Sequence, residues 1–242
     1  MIRVGTAGWQ VPRAVRHHFP EAGSTLQRYA GCFGAVEINS TFYRPHQPKT
    51  YERWAEATPP GFRFSVKAPK TITHERKLAD PGDLLDSFLA DARLLGPKLG
   101  PILVQLPPSL AFDAQIAAPF FQSLRDRFDG LVAFEPRHIT WFEPEPDGLL
   151  RDFGVARVAA DPPRHPLDQA PGGWPGLAYW RLHGSPRMYY SAYGEAYLRD
   201  LAQRLRACKA AETWCMFDNT TSGAAAEDAL ILRGMLEAGR PA

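Results

Sequence analysis

The sequence predicts an α/β fold, a (β/α)8 barrel of the TIM type formed as a single domain over residues 1–242. Three observations carry this expectation. A length of 242 residues suits one α/β barrel and can bury a substantial core. Short apolar runs rich in β-branched and aromatic residues alternate with longer segments of helical spacing, the pattern of repeated βα units around a parallel sheet. The runs number eight, the strand count of a closed barrel.

In chain order the expected strands are IRVGTAG (2–8), AVEINSTF (35–42), FRFSVKAP (62–69), PILVQLP (101–107), LVAFEPRH (131–138), VARVAAD (155–161), AYWRLHG (178–184) and TWCMFDN (213–219). Helices are expected around 25–33, 48–57, 83–95, 114–128, 145–153, 195–209 and 224–238. The gap between the sixth and seventh strands differs. PPRHPLDQAPGGWPG (162–176) holds five prolines and three glycines, so an ordered, irregular loop replaces a helix there. There is no interdomain linker and no repeat beyond the βα rhythm.

Parallel strands packed on both faces are usually apolar throughout, yet here polar residues sit late in the strands. Side chains two apart share a face. The late polar sets are Glu37, Asn39 and Thr41; Ser65 and Lys67; Gln105; Glu135 and Arg137; Asp161; Arg181 and His183; and Asn219. On a shared inner face they would converge on the C-terminal mouth, where barrel enzymes build their sites. The competing explanation is a buried ion-pair network that only plugs the barrel, with Glu37 and Arg157 as its best members because buried charges need partners. His138 has the opposite parity to Arg137 and reads as a packing or supporting residue.

The formal charge of +2 and 45% hydrophobic content describe an ordinary globular chain and select no partner. Cys32, Cys208 and Cys215 form no CxxC pair and leave one thiol over in any pairing, which fits a reducing compartment. MIRVGTAGWQ enters a strand at once and no run approaches a membrane span, so a cytoplasmic chain without a membrane anchor is expected. No GxGxxG follows a strand, and the chain lacks a Walker loop, a GxSxG elbow and HExxH, so no nucleotide cofactor or zincin chemistry is expected.

GTAGW (5–9), VEINSTFYR (36–44), FSVKAPKTITH (64–74), LGPILVQLPPS (100–109), FEPRHITWF (134–142), RLHG (181–184) and FDNT (217–220) together resemble the domain-of-unknown-function-72 (DUF72, YecE-like) family. The motifs run in order over nearly the whole chain. The resemblance implies a TIM-type barrel and no particular reaction, so any activity must be argued from the site. The family is similar in fold to the barrel group of endonuclease IV and the sugar isomerases, which hold metals with clustered His, Asp and Glu. Here Lys67, Arg137 and Arg181 are interleaved with such ligands and raise the electrostatic cost of a cation, so no metal is expected.

The ring suits a small anion. Lys67, Arg137 and Arg181, with amides from Asn39, Gln105 and Asn219, are expected to bind a phosphate or carboxylate, with Trp9 and Tyr43 offering flat rings to a sugar or base. Glu135, His183 and Asp161 are the candidates for proton transfer. Lys67 is alternatively a Schiff-base nucleophile. The expected function is metal-independent acid/base chemistry on a phosphorylated or carboxylated sugar or nucleoside. Nucleic-acid binding through the basic stretch KAPKTITHERK (67–77) and metal-dependent hydrolysis are the alternatives.

Overall fold

The computed structural model describes residues 1–238, and its elements follow the βα rhythm. Strands β1 (Ile2–Thr6), β2 (Ala35–Ile38), β3 (Arg63–Lys67), β4 (Leu99–Gln105) and β5 (Val132–Glu135) are each followed by a helix: α1 (Thr25–Ala30), α2 (Pro48–Glu56), α3 (Gly82–Arg93), α4 (Ala114–Arg125) and α5 (Pro144–Asp152). Then come the short strands β6 (Ala156–Arg157), β7 (Ala159–Asp161) and β8 (Gly172–Gly173). The chain closes with β9 (Leu177–Leu182), α6 (Glu195–Ala207), β10 (Glu212–Phe217) and α7 (Ala224–Ala238).

Local chemistry fixes several helix starts. Ser24 and Gln27 form a reciprocal capping box at α1, and the Asp113 carboxylate accepts from the Gln115 amide at the start of α4. Pro48 and Pro144 open α2 and α5, where a missing N–H costs nothing. The apolar faces of these helices join the strands in a core that includes Tyr29, Phe64, Leu89, Phe121, Phe134 and Leu201.

The strands form two sheets, ordered β1-β10-β9-β7 and β2-β3-β4-β5-β6-β8, parallel except where β8 runs antiparallel to β6. The predicted sixth strand, 155–161, is therefore divided. Its first part pairs with β5, and the Val158 amide still donates to the Phe134 carbonyl at 2.8 Å. Its second part pairs with β9 in the other sheet. At the opposite edges, Ala7 bridges Glu37 and the Gly8 amide donates to the Glu37 carbonyl at 2.8 Å. A second, smaller core of Ala35, Leu103, Ala133, Ala156, Val158, Leu177, Tyr179, Trp214 and Met216 draws on both sheets. Those residues mark one face of β2, β4, β5, β6, β9 and β10.

No α-helix follows β7. The loop holds a 3-10 turn at Pro166–Gln169 and is pinned by Asp168, fully buried, whose carboxylate accepts from the backbone of Ala160 and Arg164.

Gly5 lets β1 approach β2. A Cβ there would collide with the carbonyl oxygen of Ala35, whereas one on Gly34 would meet nothing within 4 Å. Gly5→Ala is expected to cost about 1–3 kcal/mol, since a strand seam cannot shift without moving both sheets. Melting temperatures of the two variants check this, and an equal, small change for both would show that the seam is not tightly packed.

Candidate functional site

The centre of the site is Arg181, late on β9 and fully buried. Its Nε and Nη2 donate to the two carboxylate oxygens of Glu37 at 3.0 and 2.6 Å, its Nη1 to Glu135 at 2.7 Å, and its Nη2 also to Asp218 at 3.1 Å. Four of five N–H groups are thus spent on three carboxylates, and the guanidinium is held charged against a large desolvation cost. The Tyr179 hydroxyl donates to Glu37 at 2.9 Å and lies 3.0 Å from the Ser65 hydroxyl. The expectation that Arg181 clamps a ligand is corrected here. Its donors are committed inside the protein, and it serves as the hub of a network spanning both sheets.

His183 stands two residues on, buried between two acids. Its Nδ1 lies 3.0 Å from Asp218 and its Nε2 lies 2.9 Å from Glu135. Burial alone would push its pKa down, but Glu135 and Asp218 outweigh burial and hold it above the ordinary 6.5. Glu135 is the converse case. Burial would raise its pKa, yet Arg181 first, then His183 and Arg137, hold it well below the usual carboxylate range. Gln105 also donates to Glu135 at 3.1 Å, and Arg137 does so through Nη1 at 2.9 Å.

Two cations keep donors in reserve. Arg137 makes one hydrogen bond among the described residues, to Glu135, which leaves four of its five N–H groups unspent. Lys67 is only 6% exposed, and its ammonium makes no hydrogen bond or ion pair among the described residues and lies 4.2 Å from the centre of the Phe42 ring. Burial first, and the nearby Arg181 charge second, push its pKa down to about 8. Asn39 donates to Asp218 at 3.3 Å, while its own carbonyl oxygen is buried without a partner.

Other expected members lie elsewhere. Asp161 has the parity of Arg157 and Ala159, the face away from the smaller core, and it accepts from the Tyr193 hydroxyl at 2.8 Å. Arg157 turns the same way, to Asp147 of α5 at 3.1 Å and the Leu167 carbonyl at 2.8 Å, so it is not the partner of Glu37. Asn219 also faces outward, donating to Asp228 of α7 at 2.7 Å. The inward residue at that strand end is Asp218, which shares the face of Trp214 and Met216. A one-residue error in choosing the face of the last strand hid it, and the alternation from Trp214 was the signal that could have found it.

Trp9 packs edge-on against Trp54 with ring centres 5.1 Å apart, and Tyr43 is 70% exposed beyond Phe42. His138 caps the turn that follows β5, accepting from the Thr140 amide at 3.3 Å. The basic stretch 67–77 is not a row of free cations, since Lys67 is buried and Lys70 pairs with Glu75 at 3.1 Å. Among the described residues no group of three or more His, Cys, Asp or Glu side chains is arranged to hold a metal. The acids that come together are bonded to Arg181, Arg137 and His183.

Arg181→Met is expected to cost about 3–5 kcal/mol at neutral pH by stranding buried carboxylates. In the wild type, Glu135 and Asp218 contribute stability above the ordinary carboxyl range near 4.5, which is lost as the pH falls below it. His183, with a raised pKa, contributes fully below 6.5 and loses its contribution as the pH rises beyond. The variant should therefore recover part of its deficit at pH 5, where the stranded Glu135 takes up a proton. Urea unfolding of both proteins at pH 7 and 5 checks this, and an equal deficit at both would remove Arg181 as the counter-ion.

The site and fold have relatives. A family model described as protein of unknown function DUF72 matches residues 3–242. The UPF0759 protein YecE of Escherichia coli K12 is 33% identical over 168 residues, covering 66% of this chain and 59% of that protein, so the matched region spans little over half of the relative. A DUF72 family protein from Thermotoga maritima superposes with a TM-score of 0.80 at 28% identity, covering 98% of this chain and 99% of the other. Another from Enterococcus faecalis gives 0.83 at 23% identity over 100% and 97%, a likeness of fold. No helix among the described residues is long and apolar enough to cross a membrane. With parallel β/α architecture, ordered motifs and full-length structural likeness in agreement, the chain belongs to the DUF72 family.

Proposed function

We propose that the two sheets are two arcs of one single-domain (β/α)8 barrel, and that its C-terminal mouth binds a small anionic metabolite for acid/base chemistry. The bridge between Ala7 and Glu37 at one seam, and the single sixth strand shared between the sheets at the other, support closure. The ligand class is a phosphorylated or carboxylated sugar or nucleoside.

One observation carries the binding reading: Lys67 and Arg137 are largely buried cations with unspent donors beside the Arg181 network. A cation held largely out of water gains from a charged partner, and an anion with several acceptor oxygens would engage both residues together. Asn39, with an unpartnered buried oxygen, can accept a ligand hydroxyl. For proton transfer, His183, whose affinity for a proton is raised by Glu135 and Asp218, is the acid, and Asp218 fixes its Nδ1. Glu135 is the base. A bound anion that draws on Arg137 weakens that arginine's pull on Glu135 and raises its basicity. The commitment of these acids to cations favours chemistry by protein groups over a metal-dependent reaction.

Calorimetric titration with inorganic phosphate, run on wild type, Arg137→Met and Lys67→Met, tests the reading. Each substitution is expected to weaken binding roughly tenfold to a hundredfold, with melting temperatures changed far less than in Arg181→Met. Undiminished phosphate binding in both variants would sink it. A parallel titration with a single-stranded oligonucleotide distinguishes the alternative, because affinity falling steeply with added salt marks a nucleic-acid surface.

A further inference from the structure

We propose that Lys67 is a covalent nucleophile, forming a Schiff base with a small aldehyde or ketone that also carries a phosphate or carboxylate. The proposal rests on the anion reading of the same site and adds the class of its reacting group.

The lysines separate cleanly. Lys49, Lys77 and Lys209 are exposed, Lys70 is paired with Glu75, and Lys98 bonds the carbonyls of Ala55 and Thr58. Lys67 alone is buried with no acceptor among the described residues. It is kept that way beside three carboxylates, all of which face Arg181 instead. A lysine present only to balance charge would bond one of them, because a buried charge needs a partner. The face of Phe42 lies 4.2 Å from its ammonium, an apolar wall for a bound carbon chain.

The chemistry of the amine fits. With a pKa of about 8, roughly a quarter of Lys67 is neutral at pH 7.5, against about a thousandth of an ordinary lysine. Burial and the Arg181 charge together make this amine nucleophilic. Two features lie at other strand ends of the same sheet. Asn39 follows Ile38, which pairs with Val66, so its orphaned oxygen lies at the neighbouring strand end and can accept from a substrate hydroxyl. Arg137 offers four free N–H groups to the anionic end.

The step balances without an oxidant or reductant. The Nζ lone pair adds to the carbonyl carbon and the C=O π bond opens, and a proton passes from nitrogen to oxygen to give the carbinolamine. The C–O bond then breaks, the hydroxyl takes a proton and leaves as water, and the C=N bond remains on Lys67. His183, with its pKa raised by Glu135 and Asp218, is the proton donor available within the network.

The test treats the protein with glycolaldehyde phosphate, or with glycolaldehyde, in the presence of sodium cyanoborohydride, and locates the reduced adduct by peptide mass mapping. Adduct is expected on Lys67 ahead of Lys49, Lys77 and Lys209, with labelling slowed about tenfold by Arg137→Met and by excess inorganic phosphate. Lys67→Arg, which keeps the charge and much of the volume, should lose the adduct while retaining its melting temperature. Labelling of Lys67 no faster than the exposed lysines overturns the proposal. If phosphate binds by calorimetry while Lys67 stays unlabelled, the anion site stands and the imine falls. If both aldehydes label Lys67 equally and phosphate does not bind, the nucleophile stands and the anion reading falls.

Discussion

Burial of the Arg181 guanidinium is the constraint around which the rest of this structure is arranged. A cation with no exposure can exist only if its donors are answered, and here they are answered by Glu37 and Glu135 from one sheet and Asp218 beyond the last strand of the other. Those acids are themselves buried, so each needs further donors, and Tyr179, Gln105, Arg137, His183 and Asn39 supply them. Every strand-end polar residue in the network is thereby held by at least one other. The desolvation cost of such a cluster exceeds that of an apolar filling, so the network stiffens the site at the expense of stability.

Within that network, donor accounting separates the structural part from the chemical part. Arg181 has one N–H left, whereas Arg137 has four and the Lys67 ammonium has no partner among the described residues. The two residues with reserve capacity follow β5 and end β3, where access is from the ends of the strands. His183 shares both sides of the divide. It is fully engaged by Asp218 and Glu135, and the same two acids raise its affinity for a proton.

Much of the candidate site was legible because strand alternation is rigid. Glu135 and Arg137, Arg181 and His183, and Ser65 and Lys67 were paired by parity, and all six lie on the face of the smaller core. Parity failed where a face was assigned without an apolar reference. In the sixth strand Asp161 looks like its counterparts in position, but Ala156 and Val158 occupy the inner face, which sends Arg157 and Asp161 outward to Asp147 and Tyr193. At the last strand the same slip exchanged Asp218 for Asn219.

The sequence by itself determined the β/α order, the strand that lacks a following helix, and the polar character of the strand ends, because these follow from periodicity and from proline and glycine placement. Only the tertiary structure decided which cation is consumed and which is free. Arg137 and Arg181 are alike as letters and as late polar residues of their sequence runs, but Arg181 faces three acids from both sheets while Arg137 faces one. The number of charges that meet a side chain depends on which strands are brought together in space. No spacing along the chain records it.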